Sequence, residues 1–119
     1  MADIRMGPAE TQFAEIIWAN EPFASGVLSK KAEEALAWKK TTSFTVLKRL
    51  CERGLFQNQG GVVTSRISRE EYYARHSQQY VEDTFGGSLP AFIAAFGSRK
   101  KLSDSEIEEM KALIEKMRG

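Results

Sequence analysis

The chain has one cysteine, Cys51, one histidine, His76, and three prolines in 119 residues. A lone cysteine excludes an internal disulfide, and beside a lone histidine it leaves no ligand set for a closed zinc site and no Cys/His catalytic pair. No apolar run approaches the roughly 18 residues that a membrane helix needs. The opening MADIRMGPAE is too polar for a secretory leader, so a cytoplasmic location is expected. No cofactor motif can be read, and no enzyme activity is expected. What remains is the composition of a globular protein, 42% hydrophobic and 28% charged, with room for one ordinary domain or two small ones.

The net charge is only +1, but it is unevenly placed. Residues 1–69 hold ten Lys and Arg against seven Asp and Glu, and residues 70–119 hold seven against nine. Residues 39–53 concentrate Lys39, Lys40, Lys48, Arg49 and Arg53 against Glu52 alone, with Thr41, Thr42, Ser43 and Thr45 among them.

Helical periodicity gives that cluster a context. Pro8 suits a first helical position, and Phe13, Ile16, Ile17 and Asn20 predict a helix over about 9–19 that ends before Pro22, with Trp18 set against the core. Ser25 reads as the N-cap of a second helix running to Leu36, with Val27 or Leu28, Ala32, Ala35 and Leu36 on its apolar face. After the joint Ala37-Trp38 comes a third helix over about 40–53, with Phe44, Leu47, Leu50 and Cys51 inward and Gly54 as its stop. The short turn between the last two is helix-turn-helix spacing. Leu55-Phe56-Gln57 and Val62-Val63-Thr64 around Gly60-Gly61 then predict a hairpin, which makes a winged helix.

Turning the apolar residues of the third helix inward turns Thr41, Thr42, Thr45, Lys48 and Arg49 outward. The N-terminal part of a recognition helix is what enters the major groove, where hydroxyls and guanidinium groups read bases and lysines neutralise phosphate. Lys39, Lys40, Thr41, Thr42, Ser43, Thr45, Lys48 and Arg49 are therefore the candidate contacts to double-stranded DNA. The wing NQGGVVTS has no cation, which leaves Arg66 as the phosphate contact expected there.

In the second half, Ser68-Arg69-Glu70-Glu71 has a capping-box pattern opening a helix through about Thr84, closed by Gly86-Gly87. Tyr72, Tyr73, Tyr80 and Phe85 are many aromatics for one exposed helix, and acids beside them argue for an interface or core over base stacking. His76 is read as part of the helix packing or its rim. A short helix carries Leu89, Phe92, Ile93 and Phe96 on one face, and a last one opens at Ser103 and carries Ile107, Met110, Ile114 and Met117 as a two-heptad seam. Neither buries its stripe alone, so a second copy of the chain is the expected partner.

The stretches ETQFAEIIWANEPF, AEEALAWKKTTSFTVLKRLCERGLF, ISREEYYARHSQQYVEDTFGGSLPAFIAAF and KKLSDSEIEEMKALIEKM occur in this order over nearly the whole chain. Together they resemble the penicillinase-repressor family, the BlaI/MecI/CopY type. The resemblance implies a mainly α bacterial repressor with a winged helix-turn-helix over 1–69 and a three-helix dimerisation arm over 70–119, binding a palindromic operator as a homodimer. It also implies release by proteolysis under a membrane sensor-protease, at the bond matching Ala95-Phe96.

Departures from the family pattern are visible. Ala95 stands where the β-lactam-responsive repressors carry Asn, and KALIEKMRG lacks the cysteines of the copper-responsive branch. Ser98-Arg99-Lys100-Lys101 satisfies the S-x-x-K pattern of penicillin-binding enzymes, but the companion motifs are missing and the chain is too short for that fold. The competing class is a winged-helix module whose basic face binds a protein.

Overall fold

The structure is a computed structural model that describes residues 4–119. The first three residues of the polar N-terminal stretch lie outside it. Two compact units divide between Ser77 and Gln78, further along the chain than the expected boundary after residue 69.

The first unit holds helices α1 (Pro8–Asn20), α2 (Ser25–Leu36) and α3 (Lys40–Glu52), the short strand β1 (Phe23–Ala24), and the hairpin of β2 (Phe56–Gln59) and β3 (Val62–Ser65). Helix α4 (Arg69–Phe85) begins in this unit and runs on into the second. Pro8 opens α1, and the Glu10 side chain turns back to accept from the Gly7 N–H at 3.0 Å. The strands form one antiparallel sheet in the order β1-β3-β2, with Phe23 opposite Val63 and Asn58 opposite Val63 on the other side. Gly60 and Gly61, at φ 59° and 85°, supply the two positive-φ positions that a tight hairpin turn requires.

Phe13, Ile17, Leu28, Leu50, Phe56, Val63 and Tyr72 meet in the buried core. Each large apolar side chain there contributes roughly 1.5–3 kcal/mol by leaving water. Trp18 packs at the edge of this core, 5.6 Å from Phe56 and 5.5 Å from Tyr72 between ring centroids, and its indole N–H donates to the Ile67 carbonyl at 3.0 Å.

Two expectations are corrected, the N-cap of α2 and the inward face of α3, and one open choice is decided. Strand β1 was not foreseen, and its pairing with β3 keeps the chain extended through Ala24. Ala24 thus stands at the N-cap of α2, while Ser25 lies inside the helix with its N–H donating to Gly61 O at 2.8 Å. On α2, Leu28 and not Val27 is the buried member of the pair. On α3 the buried face is Ser43, Val46, Leu47 and Leu50, while Phe44 and Cys51 are half-buried at its edges. The observed positions follow i, i+3, i+4, i+7, a tighter helical stripe than the apolar set 44, 47, 50, 51.

In the second unit, Tyr80, Phe85, Phe92 and Phe96 form a chain of ring contacts at centroid distances between 5.5 and 6.3 Å. Helix α5 (Leu89–Gly97) is capped by Ser88 Oγ, which accepts from the Ala91 N–H at 3.1 Å. Helix α6 (Asp104–Lys116) opens on a reciprocal box, Ser103 Oγ accepting from the Glu106 N–H and Glu106 Oε1 accepting from the Ser103 N–H. No residue from 78 to 119 is fully buried.

Candidate nucleic-acid interface

Helix α3 is held in place from both ends. Before it, α2 closes on Ala37 in the left-handed region at φ 58°, with its N–H donating to Glu33 O at 3.0 Å. Trp38 then stacks 5.2 Å from Phe13 and locks the turn to α1. After it, the Leu55 N–H donates to Leu50 O at 3.1 Å and starts the wing.

Between these anchors Lys39, Lys40, Thr41, Thr42, Thr45, Lys48 and Arg49 are exposed. Thr45 Oγ1 donates to Thr41 O at 2.8 Å, so its proton is committed to the backbone and the side chain offers a methyl and acceptor lone pairs. The Thr41 and Thr42 hydroxyls have no partner among the described residues. Thr41, Thr42, Thr45 and Arg49 line one shallow depression. The Arg49 guanidinium lies 3.9 Å from Glu10 Oε2, a loose pair in which the arginine is exposed and the carboxylate oxygen is buried.

The charge order along α3 is costly for the helix itself. Lys39 is the N-cap, Lys40 opens the first turn, and no acid stands there. Cations at the positive end of the helix dipole cost roughly 0.3–1 kcal/mol each, whereas an anion at that end is stabilised by a similar amount.

Ser43 is the exception within the candidate set. It is 2% exposed, its Oγ has no hydrogen-bond partner among the described residues, and it faces the core, where nothing outside the protein can reach it. Its hydroxyl suggested an outward position, but a small side chain at i−3 and i−4 from Val46 and Leu47 fits the tight contact beneath α3. Arg66 is exposed, but it follows β3 at the foot of the wing, not at the Gly60-Gly61 tip.

Tyr73 also departs from its expected place at a dimer interface. Its ring lies under the Arg69 guanidinium at 4.9 Å, and its hydroxyl donates to Glu15 Oε1 at 2.6 Å, inside the first unit. Arg69 Nε donates to the same carboxylate at 2.9 Å. Burial pushes the Glu15 carboxyl up, but the hydrogen bonds from Tyr73 and Arg69 and the charge of Arg69 together hold it below its ordinary value. The first two turns of α4 belong to the winged-helix core because Tyr72 is buried there, and its hydroxyl accepts from the Met6 N–H at 3.3 Å.

The other expected interface residues, Tyr80, Phe85, Leu89, Phe92, Ile93, Phe96, Ile107, Met110, Ile114 and Met117, all lie in the second unit. Leu89, Phe96, Ile107, Ile114 and Met117 are exposed, and Leu113, which the heptad count passed over, is exposed beside them. Ala95 and Phe96 both lie within α5.

A model of one family, described as penicillinase repressor, matches residues 6–116. The chain belongs to the penicillinase repressor family. Among curated relatives of the family, a penicillinase repressor from Bacillus licheniformis is 24% identical over 115 positions, covering 93% of this chain and 90% of that protein. The methicillin resistance regulatory protein MecI of Staphylococcus aureus (strain Mu50 / ATCC 700699) is 21% identical over 112 positions, with 91% of each chain covered. As a family member this chain shows no cluster of three His, Cys, Asp or Glu able to hold a metal ion among the described residues. Among the described residues no helix is long and apolar enough to cross a membrane. Burial, helped by the neighbouring charge of Glu52, pushes the Cys51 thiol up, away from the reactive thiolate.

Proposed function

We propose that this protein is a transcriptional repressor that binds a two-fold-symmetric DNA operator as a homodimer. The observation that carries the reading is the exposed, acid-free N-terminal half of α3, where Lys39, Lys40, Thr41 and Thr42 stand together at the positive end of a helix presented by a helix-turn-helix. A DNA phosphate there offsets the dipole cost of the two lysines, and free threonine hydroxyls can address base edges or backbone oxygens. The names of the two relatives, a repressor and a resistance regulator, support the same reading.

Dimerisation rests on the second unit. It exposes Leu113, Ile114 and Met117 and buries nothing fully, and helices of 9 and 13 residues are marginal in water without a partner surface. A two-fold pair of recognition helices reads half-sites about one helical turn apart, roughly 34–36 Å, or a multiple of that. Release through a membrane sensor-protease cutting at Ala95-Phe96 requires the last turn of α5 to unwind first, since the Ala95 carbonyl accepts from Ser98 Oγ at 2.7 Å.

The test is a mobility shift of DNA flanking the protein's own gene, with chloride varied. A complex containing two protomers, weakening steeply with salt and outcompeting unrelated DNA, is expected. Equal binding to every sequence, or none, points instead to a winged-helix module for protein partners.

A further inference from the structure

Arg53, Arg66 and Arg75 come from three separate places, the end of α3, the residue after β3 and the second turn of α4, yet they line one depression together with Ile4, Leu55 and Glu71. Glu71 is the only acid among its lining residues, which therefore carry a net charge of +2. Arg53 is anchored, its Nη2 donating to the Arg5 carbonyl at 2.6 Å. The Arg66 N–H donates to the Leu55 carbonyl at 2.9 Å, but the guanidinium groups of Arg66 and Arg75 make no hydrogen bond or ion pair among the described residues. The floor is apolar: Ile4, Leu55 and Ile67 are all buried.

Guanidinium groups gathered in one depression repel each other, and their planar forks match the oxygens of phosphate and carboxylate. Apart from Arg66, the depression lies away from the N-terminal end of α3, where Lys39, Lys40, Thr41 and Thr42 stand. Helix α3 has 13 residues, so Arg53 follows its far end, roughly 20 Å from Lys40. The four residues of β3 set Arg66 roughly 13 Å or more from the wing tip.

We propose that this depression binds a small dianion, a phosphate or dicarboxylate, through Arg66 and Arg75, with Arg53 forming the third side. The inference goes beyond the repressor reading and does not depend on it. A dianion held there bridges the foot of the wing to α4, next to the end of the recognition helix, which makes it a place from which a metabolite could bias DNA binding.

The test is an amide chemical-shift titration of the full chain with sodium phosphate and, separately, sodium succinate, ionic strength being held constant with chloride. Saturable shifts confined to residues 53–55, 66–69 and 75 with at least one of the two anions are expected. In the R66Q/R75Q double variant, with its melting temperature and circular dichroism unchanged, affinity should fall about tenfold or more for each guanidinium lost. Three results overturn the proposal: no saturable shifts with either anion, shifts centred on Lys39–Thr42 instead, or binding unchanged in the double variant. If the double variant instead loses affinity for all DNA sequences while the wild type ignores both anions, the arginines serve the DNA backbone and the small-anion site is wrong.

Discussion

The Tyr73 hydroxyl donates to Glu15 Oε1 at 2.6 Å, and Arg69 grips the same carboxylate from the next turn of α4. This clasp joins the first helix of the chain to the one that leaves the winged helix. Because Glu15 titrates below its ordinary value of 4.5, the clasp contributes stability above that pH and loses it as pH falls through the lowered value. Glu15→Gln should cost about 1 kcal/mol at pH 7, and the difference from wild type should narrow in acid, once pH has fallen through the lowered value and the carboxyl is protonated. Urea denaturation at neutral and acid pH checks this; a gap that persists in acid means the carboxylate charge is not what the clasp uses.

Ala37 carries a Cβ at φ 58° in the turn before α3. The left-handed conformation costs an L-residue roughly 1–2 kcal/mol, of which glycine's extra unfolded-state freedom takes back part. Ala37→Gly should therefore raise stability by about 0.5–1 kcal/mol, seen as a higher urea midpoint at constant slope. A lower midpoint would show that the turn is not strained.

Ser43 and Thr42 are neighbours with opposite surroundings, one buried and one exposed. Thr42→Ala and Arg49→Ala should each weaken operator binding by about 1–3 kcal/mol if they read bases, more than they weaken binding to unrelated DNA. Ser43→Ala should leave operator affinity alone and keep or raise stability, because it removes a buried hydroxyl without a partner. Fluorescence anisotropy with operator and scrambled duplexes separates the three.

Met117, the C-cap of α6, is 74% exposed, and Ile114, in its last turns, 55%. Ile114→Glu should convert dimers to monomers at micromolar concentration while the circular dichroism of the winged helix is retained. Sedimentation of wild type and variant as the same species would remove α6 from the interface.

Much of the architecture was legible because its signals are local. Pro8, Pro22, Gly54, Gly60-Gly61, Gly86-Gly87 and the Ser103 box punctuate the chain through backbone conformation and capping, which act within a few residues of themselves. The outward set Thr41, Thr42, Thr45, Lys48 and Arg49 followed from helical geometry alone. The rotation of α3 onto Ser43 and Val46 was not legible, since a buried hydroxyl and an exposed one are the same letter. Strand β1 is two residues long and exists only because β3 pairs with it.

The sequence by itself determined that the chain makes a winged helix with a cationic, hydroxyl-bearing third helix and an amphipathic helical tail, because periodicity and turn chemistry are properties of neighbouring residues. Only the tertiary structure decided that Tyr73 serves the winged-helix core and that Arg53, Arg66 and Arg75 share one depression. Those relations join residues up to 58 positions apart, and such pairs meet only through the packing of elements around Phe13, Ile17 and Tyr72.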